Sequence, residues 1–321
     1  MKRLSVILAI SLLSLLAAVS CRKTGVKEAA EEVAVTVRFG IEDAAAVKSG
    51  FGTGSSATVL EYRVYILQGA SWKLTNVSGK LTGVTYPKDI TLHLAADMTY
   101  RIACFAQSPA AVTAALYNLA DFDDIAISYA ALLPNSDMGD VFCATRQFVS
   151  GDSPTLNVVM HRPLAQFNVY TGDLSLFNAS SVDNPVKTVQ LKFHGVPVKM
   201  SLVQGTADAG GYVPFRVKSD VQDYEFTCDV LTGMDHSLGD ETYDHLSMNY
   251  LLAAPQSDIT TVDLTLKAQD GTVIASVPGI SNVPYQANYR TNLYGSLITN
   301  AVNFSIDLDP AFNDPDYAVT P

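Results

Sequence analysis

Motifs that concentrate chemistry are what this chain lacks. It carries five histidines, four cysteines and one tryptophan in 321 residues, and no C-x-x-C pair for zinc or redox work. There is no G-x-S-x-G elbow, no H-E-x-x-H and no P-loop. The run 50-GFGTG-54 breaks the G-x-G-x-x-G spacing, because Ser55 stands where the last glycine belongs, and it reads as a flexible loop. With no acid or nucleophile motif beside them, the histidines argue against a hydrolytic triad. Only a hydrolase with dispersed residues stays open. No cofactor or metal is expected.

Positive charge is also scarce. Lys and Arg number 21 against 32 acidic residues, a formal net charge of −11. Such a surface repels phosphate backbones, which argues against a nucleic-acid partner and against an electrostatic grip on membranes. Charged residues make up 17% and hydrophobic ones 48%, a globular balance with enough apolar material for a sizeable core.

What is present begins with a targeting segment. Lys2 and Arg3 precede the apolar run 4-LSVILAISLLSLLAAV-19, and small residues lead into 17-AAVSC-21. The run is short for a membrane span, which needs roughly 20 residues. A signal ending on small residues and Cys21 resembles a bacterial lipoprotein signal, so residues 1–20 are expected to be removed and Cys21 acylated (palmitate or a similar chain). Losing Lys2 and Arg3, with no acidic residue, moves the formal charge from −11 to −13. The lipid is then the tether, with 21–32 as its linker.

The rest alternates with period two. Val33, Val35, Val37 and Phe39 share one face of 33-VAVTVRF-39. Val189, Leu191 and Phe193 do so in 187-KTVQLKF-193, and Val262, Leu264 and Leu266 in 261-TVDLTLK-267. Val302, Phe304, Ile306 and Leu308 do so in 302-VNFSIDL-308. Half-buried strands need this pattern. The runs 62-YRVYILQ-68 and 99-TYRIACFAQ-107 are apolar on both faces and predict central strands. Turn clusters separate them at 49–58, 150-SGDSP-154, 205-GTADAGG-211, 269-QDG-271 and 278-PGISNVP-284. One segment, 111-AVTAALYNLADF-122, has helical spacing. Many short strands with turns between them predict β-sandwiches. A boundary is placed near 160, where 155-TLNVVM-160 ends at 161-HRP-163. No strong internal repeat is visible.

Clusters with a chemical look have plain alternatives. In 235-DHSLGDETYDH-245 the spacing of His236, His245, Asp235, Asp240, Glu241 and Asp244 fits neither an EF-hand nor a zincin, and a solvated acidic loop accounts for it. The acidic, proline-bearing 307-DLDPAFNDPD-316 reads as an exposed tail. Cys104 and Cys143 are either a disulfide or, with Cys228, free thiols.

Two segments carry a resemblance. In 159-VMHRPLAQFNVY-170 an R-x-x-A strand comprises Arg162 and Ala165. In 284-PYQANYRTNLYGSLIT-299 the matching residues are Asn288, Tyr289, Arg290, Thr291, Asn292, Tyr294 and Gly295. With the lipoprotein signal, these resemble the Bacteroidetes fimbrillin superfamily, nearest its fimbrillin-like lipoproteins of undefined role. The resemblance implies an all-β chain of two tandem transthyretin-like, Greek-key β-sandwich domains, 33–161 and 162–321. It implies a non-enzymatic subunit at the cell outer membrane, whose partners are other fimbrial subunits or host and bacterial surface ligands. It implies that Arg290, Asn292 and Tyr294 are scaffold. It also implies assembly by strand donation: an arginine-directed protease cuts after the first strand, at Arg38, and a neighbour's strand fills the groove. Arg38 as a plain solvent-facing residue is the competing reading. Polymer-forming relatives carry a C-terminal donor extension, whereas only thirteen residues follow Leu308 here, Pro310, Pro315 and Pro321 among them; an anchor, tip or accessory subunit fits as well as a shaft subunit. A second class of function is a non-polymerising surface lipoprotein that binds glycans through aromatics, with Trp72 in 71-SWKLTN-76 as the sole tryptophan.

The acyl anchor predicts that Cys21→Ala protein leaves the membrane fraction while the parent chain stays in it. A variant that still sediments with membranes would refute the anchor.

Overall fold

Short alternating segments bury their apolar faces only by pairing and stacking, and here they pair into five sheets. The computed structural model describes residues 31–42, 56–238, 241–300 and 303–310. Cys21, most of the 49–58 loop and the tail beyond Pro310 lie outside these residues. The strands are β1 (Glu32–Ile41), β2 (Val59–Gln68), β3 (Ser71–Leu81), β4 (Lys88–Ala95), β5 (Thr99–Gln107), β6 (Tyr117–Asn118), β7 (Ile125–Ile127), β8 (Val141–Val149), β9 (Thr155–Met160), β10 (Leu164–Thr171), β11 (Val186–Pro197), β12 (Lys199–Ser201), β13 (Arg216–Val217), β14 (Val221–Asp229), β15 (Asp235–Leu238), β16 (Glu241–Leu252), β17 (Asp258–Ala268), β18 (Val273–Tyr285), β19 (Arg290–Gly295) and β20 (Phe304–Asp309).

The sheet orders repeat. In the first half, β4-β1-β9 is accompanied by β3-β2-β5-β8; in the second, β16-β10-β19 by β14-β11-β17-β18. Taken in chain order, the two sets correspond strand for strand. In each, the first strand pairs in parallel with the last: β1 with β9 and β10 with β19. The sequence shows no such repeat because topology constrains which face each residue occupies, not its identity. The second half adds β15 at one edge and β20 at the other.

Alternation converts directly into burial. Val35, Val37, Phe39 and Ile41 of β1 enter one core with Leu92, Leu94, Val158 and Met160. Val189, Leu191 and Phe193 of β11 and Val262, Leu264 and Leu266 of β17 enter a second. β5 serves both. Ile102, Cys104 and Ala106 belong to the first core, while Ala103 and Phe105 on its other face belong to the second. A strand buried on both faces needs apolar residues on both, and TYRIACFAQ supplies them, with the buried Arg101 and Gln107 as its polar exceptions. The small sheet β13-β12-β7-β6 takes two strands from each half and helps to join them.

Two local expectations are corrected. The helical spacing of 111–122 yields only a helix over Pro109–Thr113, capped by the Ser108 hydroxyl, which accepts from Ala111 N–H at 3.0 Å. Ala115 then takes φ +50°. The N–H of Leu116 reaches Ala111 C=O and that of Ala115 reaches Val112 C=O, the two bonds of a Schellman stop. Leu116, Tyr117 and Phe122 are buried nonetheless, so tertiary burial rather than a helical face explains their apolarity. The segment 278–284 is likewise no inter-strand turn. It lies within β18, an edge strand whose register with β17 shifts repeatedly. Gly279 and Asn282 adopt positive φ, and an edge tolerates Pro278 and Pro284 where a central strand would not.

Ala115 occupies a position that glycine fills without a Cβ penalty and is exposed. Ala115→Gly is therefore predicted to stabilise the protein by about 1 kcal/mol in chemical denaturation. A loss of stability would refute the strain assigned to this turn.

Candidate functional site

Arg38 sits on the exposed face of β1, opposite the buried valines. It donates from Nε to Asp89 Oδ1 and from Nη2 to Asp89 Oδ2, both at 2.9 Å, and so clips β1 to β4. The hydrogen bond to Asp89 raises the pKa of the guanidinium, and the same bond is the main cause that lowers the pKa of the carboxyl. The pair is therefore intact at neutral pH and loosens only as pH falls through the acid range. On the other side, Val37, Phe39 and Ile41 lie opposite Leu156, Val158 and Met160 of β9. Arg38 thus belongs to a strand held on both edges.

The two motif segments, far apart in sequence, meet in space. β10 and β19 are parallel neighbours, with Gln166 opposite Arg290, Asn168 opposite Asn292 and Tyr170 opposite Tyr294. Arg290 and Asn292 are buried, and Asn168 donates its side-chain N–H to Asn292 Oδ1 at 3.0 Å. Just before β10, Arg162 is sealed from solvent with Asp140, their side chains both at 0% exposure. Its Nε donates to Asp140 Oδ1 at 2.7 Å and its Nη2 to Asp140 Oδ2 at 3.2 Å. The guanidinium lies 4.5 Å from the centre of the Phe142 ring, and Nη1 approaches Asn288 Oδ1 at 3.5 Å. Asp140 gave no signal in the sequence, since nothing there links an acid before one strand to an arginine 22 residues on.

Other predicted groups are dispersed. Cys104 and Cys143 lie one register step apart on β5 and β8, Cys104 opposite Ala144 and Cys143 opposite Phe105. They therefore point into different cores and are free thiols, as is Cys228. Burial raises the Cys104 thiol to about 12, which makes it a poor nucleophile. The segment 235–245 is a β-hairpin rather than a loop, with Asp235 opposite Asp244. His245 is buried against Tyr170, ring centroids 4.5 Å apart. Asp240 and the side chain of His236 lie outside the described residues. Among the described residues no group of three His, Cys, Asp or Glu is placed to hold a metal. His194 finds acidic partners that sequence did not reveal, Asp263 at 2.8 Å and Asp223 at 3.5 Å.

A cleft of about 570 Å³ opens beside β3. Trp72 and Tyr65 line it, with Leu74, Asp121, Asp123 and Gln204. Arg101, itself buried, lies 4.1 Å from the centre of the Trp72 ring. It donates to Val203 C=O at 2.6 Å, Gly205 C=O at 2.8 Å and Gln147 Oε1. Arg63 is occupied by the carbonyls of Leu119 and Ala120 and lies over Phe122. Burial raises the Tyr65 hydroxyl to about 12, so it stays a neutral phenol at physiological pH. Sequence singled out Trp72 but neither the arginine behind it nor the acids across from it, which arrive from a separate loop.

The described chain is an all-β protein of stacked sheets with a repeated strand order. It belongs to the family of unknown function DUF6562, whose model matches residues 64–320. No curated protein matches it. Similar solved structures include a candidate adhesin from Bacteroides thetaiotaomicron, at 11% identity and TM-score 0.48, covering 88% of this chain and 97% of that one. The fimbrial anchor protein Mfa2 from Porphyromonas gingivalis matches at 12% identity and TM-score 0.42, covering 86% and 96%. A fimbrial assembly protein from Parabacteroides distasonis matches at 12% identity and TM-score 0.41, covering 87% and 96%.

Removing one partner of a sealed ion pair strands the other. Asp140→Ala is predicted to cost about 3–5 kcal/mol in denaturant unfolding, and Asp140→Leu combined with Arg162→Met far less than that. A single-mutant cost under about 1 kcal/mol would show that the pair does not hold the junction.

Proposed function

We propose that this protein is a surface-exposed, lipid-anchored subunit of a fimbrial-type assembly, structural or adhesive, built as two tandem sandwich domains over 33–161 and 162–321. It is joined to other subunits by strand exchange at β1. The observation that carries the reading is the construction of β1. Its apolar residues plug a core whose other walls come from later strands, while Arg38 faces solvent. Among the described residues no helix is long and apolar enough to cross a membrane, and the anchor of this reading is the acyl chain at Cys21.

The energetics suit an exchangeable strand. Cutting after Arg38 would remove Val35 and Val37, which are 2% and 0% exposed, and leave Phe39 and Ile41 in place. Two buried valines represent roughly 3–6 kcal/mol of transfer free energy, a large share of a typical 5–15 kcal/mol stability. The opened groove would therefore be strongly driven to refill with another alternating strand. β20 offers Phe304, Ile306 and Leu308 at alternate positions. It lies at the edge of its sheet, paired with β19 alone, so its release breaks one ladder.

The deciding experiment is the intact mass and N-terminal sequence of protein recovered from the cell surface. The expected start is Phe39, with Arg38→Lys protein uncut and Asp89→Ala protein cut faster because the arginine is no longer clipped. An acylated Cys21 start in the parent chain would remove strand exchange at β1 and leave an anchor, tip or solitary binding lipoprotein.

A further inference from the structure

We propose that the Trp72 cleft binds a neutral saccharide. Sugar rings present a face of C–H bonds and an edge of hydroxyls, so their sites pair an aromatic platform with planar polar groups at its border. The cleft supplies both. Trp72 and Tyr65 are the aromatic walls, Leu74 adds an apolar side chain that is 54% exposed, and Asp121, Asp123 and Gln204 form the polar border. Its volume of about 570 Å³ is within the usual range for small-ligand pockets, roughly 300–1,000 Å³.

The platform is pre-set. Arg101 is buried and stacks on Trp72, with its donors spent on Val203, Gly205 and Gln147. Stacked on one face of the indole, it limits the ring's rotation, and it is not itself part of the cleft lining. Preorganisation of this kind lowers the ordering cost of binding. The border is partly fixed as well: Asp123 accepts from the Ser201 hydroxyl and from Gln204 Nε2 at 3.0 Å. Asp121 Oδ1 accepts from Asp123 N–H at 2.9 Å. A carboxylate has about four lone-pair sites, so both acids retain capacity to accept from sugar hydroxyls.

Charge selects the class of sugar. The cationic groups beside the cleft are committed, Arg63 to two carbonyls and Arg101 to three acceptors. Two aspartates, Asp121 and Asp123, line the cleft, and the whole chain is acidic. Uronic, sialic and sulfated sugars are disfavoured by this field; neutral hexoses and N-acetylhexosamines are not. This inference goes beyond strand exchange and stands without it, because the cleft does not involve β1.

Trp72 is the chain's one tryptophan, so its selectively excited fluorescence reports on this cleft alone. The test is a titration of the full mature protein with glucose, galactose, mannose, N-acetylglucosamine, N-acetylgalactosamine, their short oligomers, glucuronate and sialic acid. The expected result is a saturable emission change with at least one neutral sugar and none with the acidic ones. Asp121→Ala and Gln204→Ala should each weaken it about tenfold, the scale of a lost hydrogen bond involving a charged group, with a cooperative unfolding transition retained. Silence toward every neutral sugar, preference for the acidic ones, or full affinity in both variants would overturn the proposal. None of these outcomes bears on the N-terminus at the cell surface, so the two readings fail separately.

Discussion

The ion pair between Arg162 and Asp140 is the constraint on which the rest of the structure turns. Both side chains are excluded from water, and at such a site neither charge is tolerable without the other. Arg162 lies two residues before the start of β10, which leads the second set of strands, and Asp140 immediately precedes β8, which closes a sheet of the first. Their contact fixes how one half is handed to the next. Asn288, just before β19, joins the same cluster, so the parallel pairing of β10 with β19 is set from the point where both strands begin.

Around that junction the two halves are bound through shared structure. β5 gives one face to each core. The N–H of Gln147 on β8 donates to Gly211 C=O at 2.6 Å. Gly211 has φ +82°, and a Cβ there would fall 2.3 Å from the Gln147 carbonyl oxygen, so this approach requires glycine. Thr145 accepts from Val213 N–H through its carbonyl and donates its hydroxyl to Leu202 C=O. The strand exchange proposed at β1 and the sugar proposed at Trp72 would both draw on this rigidity. One needs a groove that keeps its shape, and the other an indole backed by an arginine that reaches across to Val203 and Gly205.

Much of the scaffold was legible because alternation is a local property. β1, β11 and β17 are read from their valines and leucines alone, and β5 from a run that is apolar on both faces. Where reading failed, a local signal served a non-local purpose. The residues after Ala115 have helical spacing but fill separate core positions. The prolines of β18 look like breakers but lie on an edge. The polar residues of β10 and β19 carried no burial signal in the sequence, and Gln166, Asn168 and Asn292 are buried. The sites were less legible still, because Trp72, Arg101, Asp121 and Gln204 come from different segments.

The sequence by itself determined the strand-rich class, the apolar face of each alternating strand and the exposed place of Arg38, because side-chain direction in a strand follows from position two residues on. It also set the acidic balance, a formal net charge of −11. Only the tertiary structure decided that the strand order occurs twice, that Cys104 and Cys143 face different cores, and that Arg162 is neutralised by Asp140. It alone decided that Trp72 stands between an arginine and a cleft. Pairing and stacking act between residues tens to hundreds of positions apart, and nothing in a local pattern names the partner.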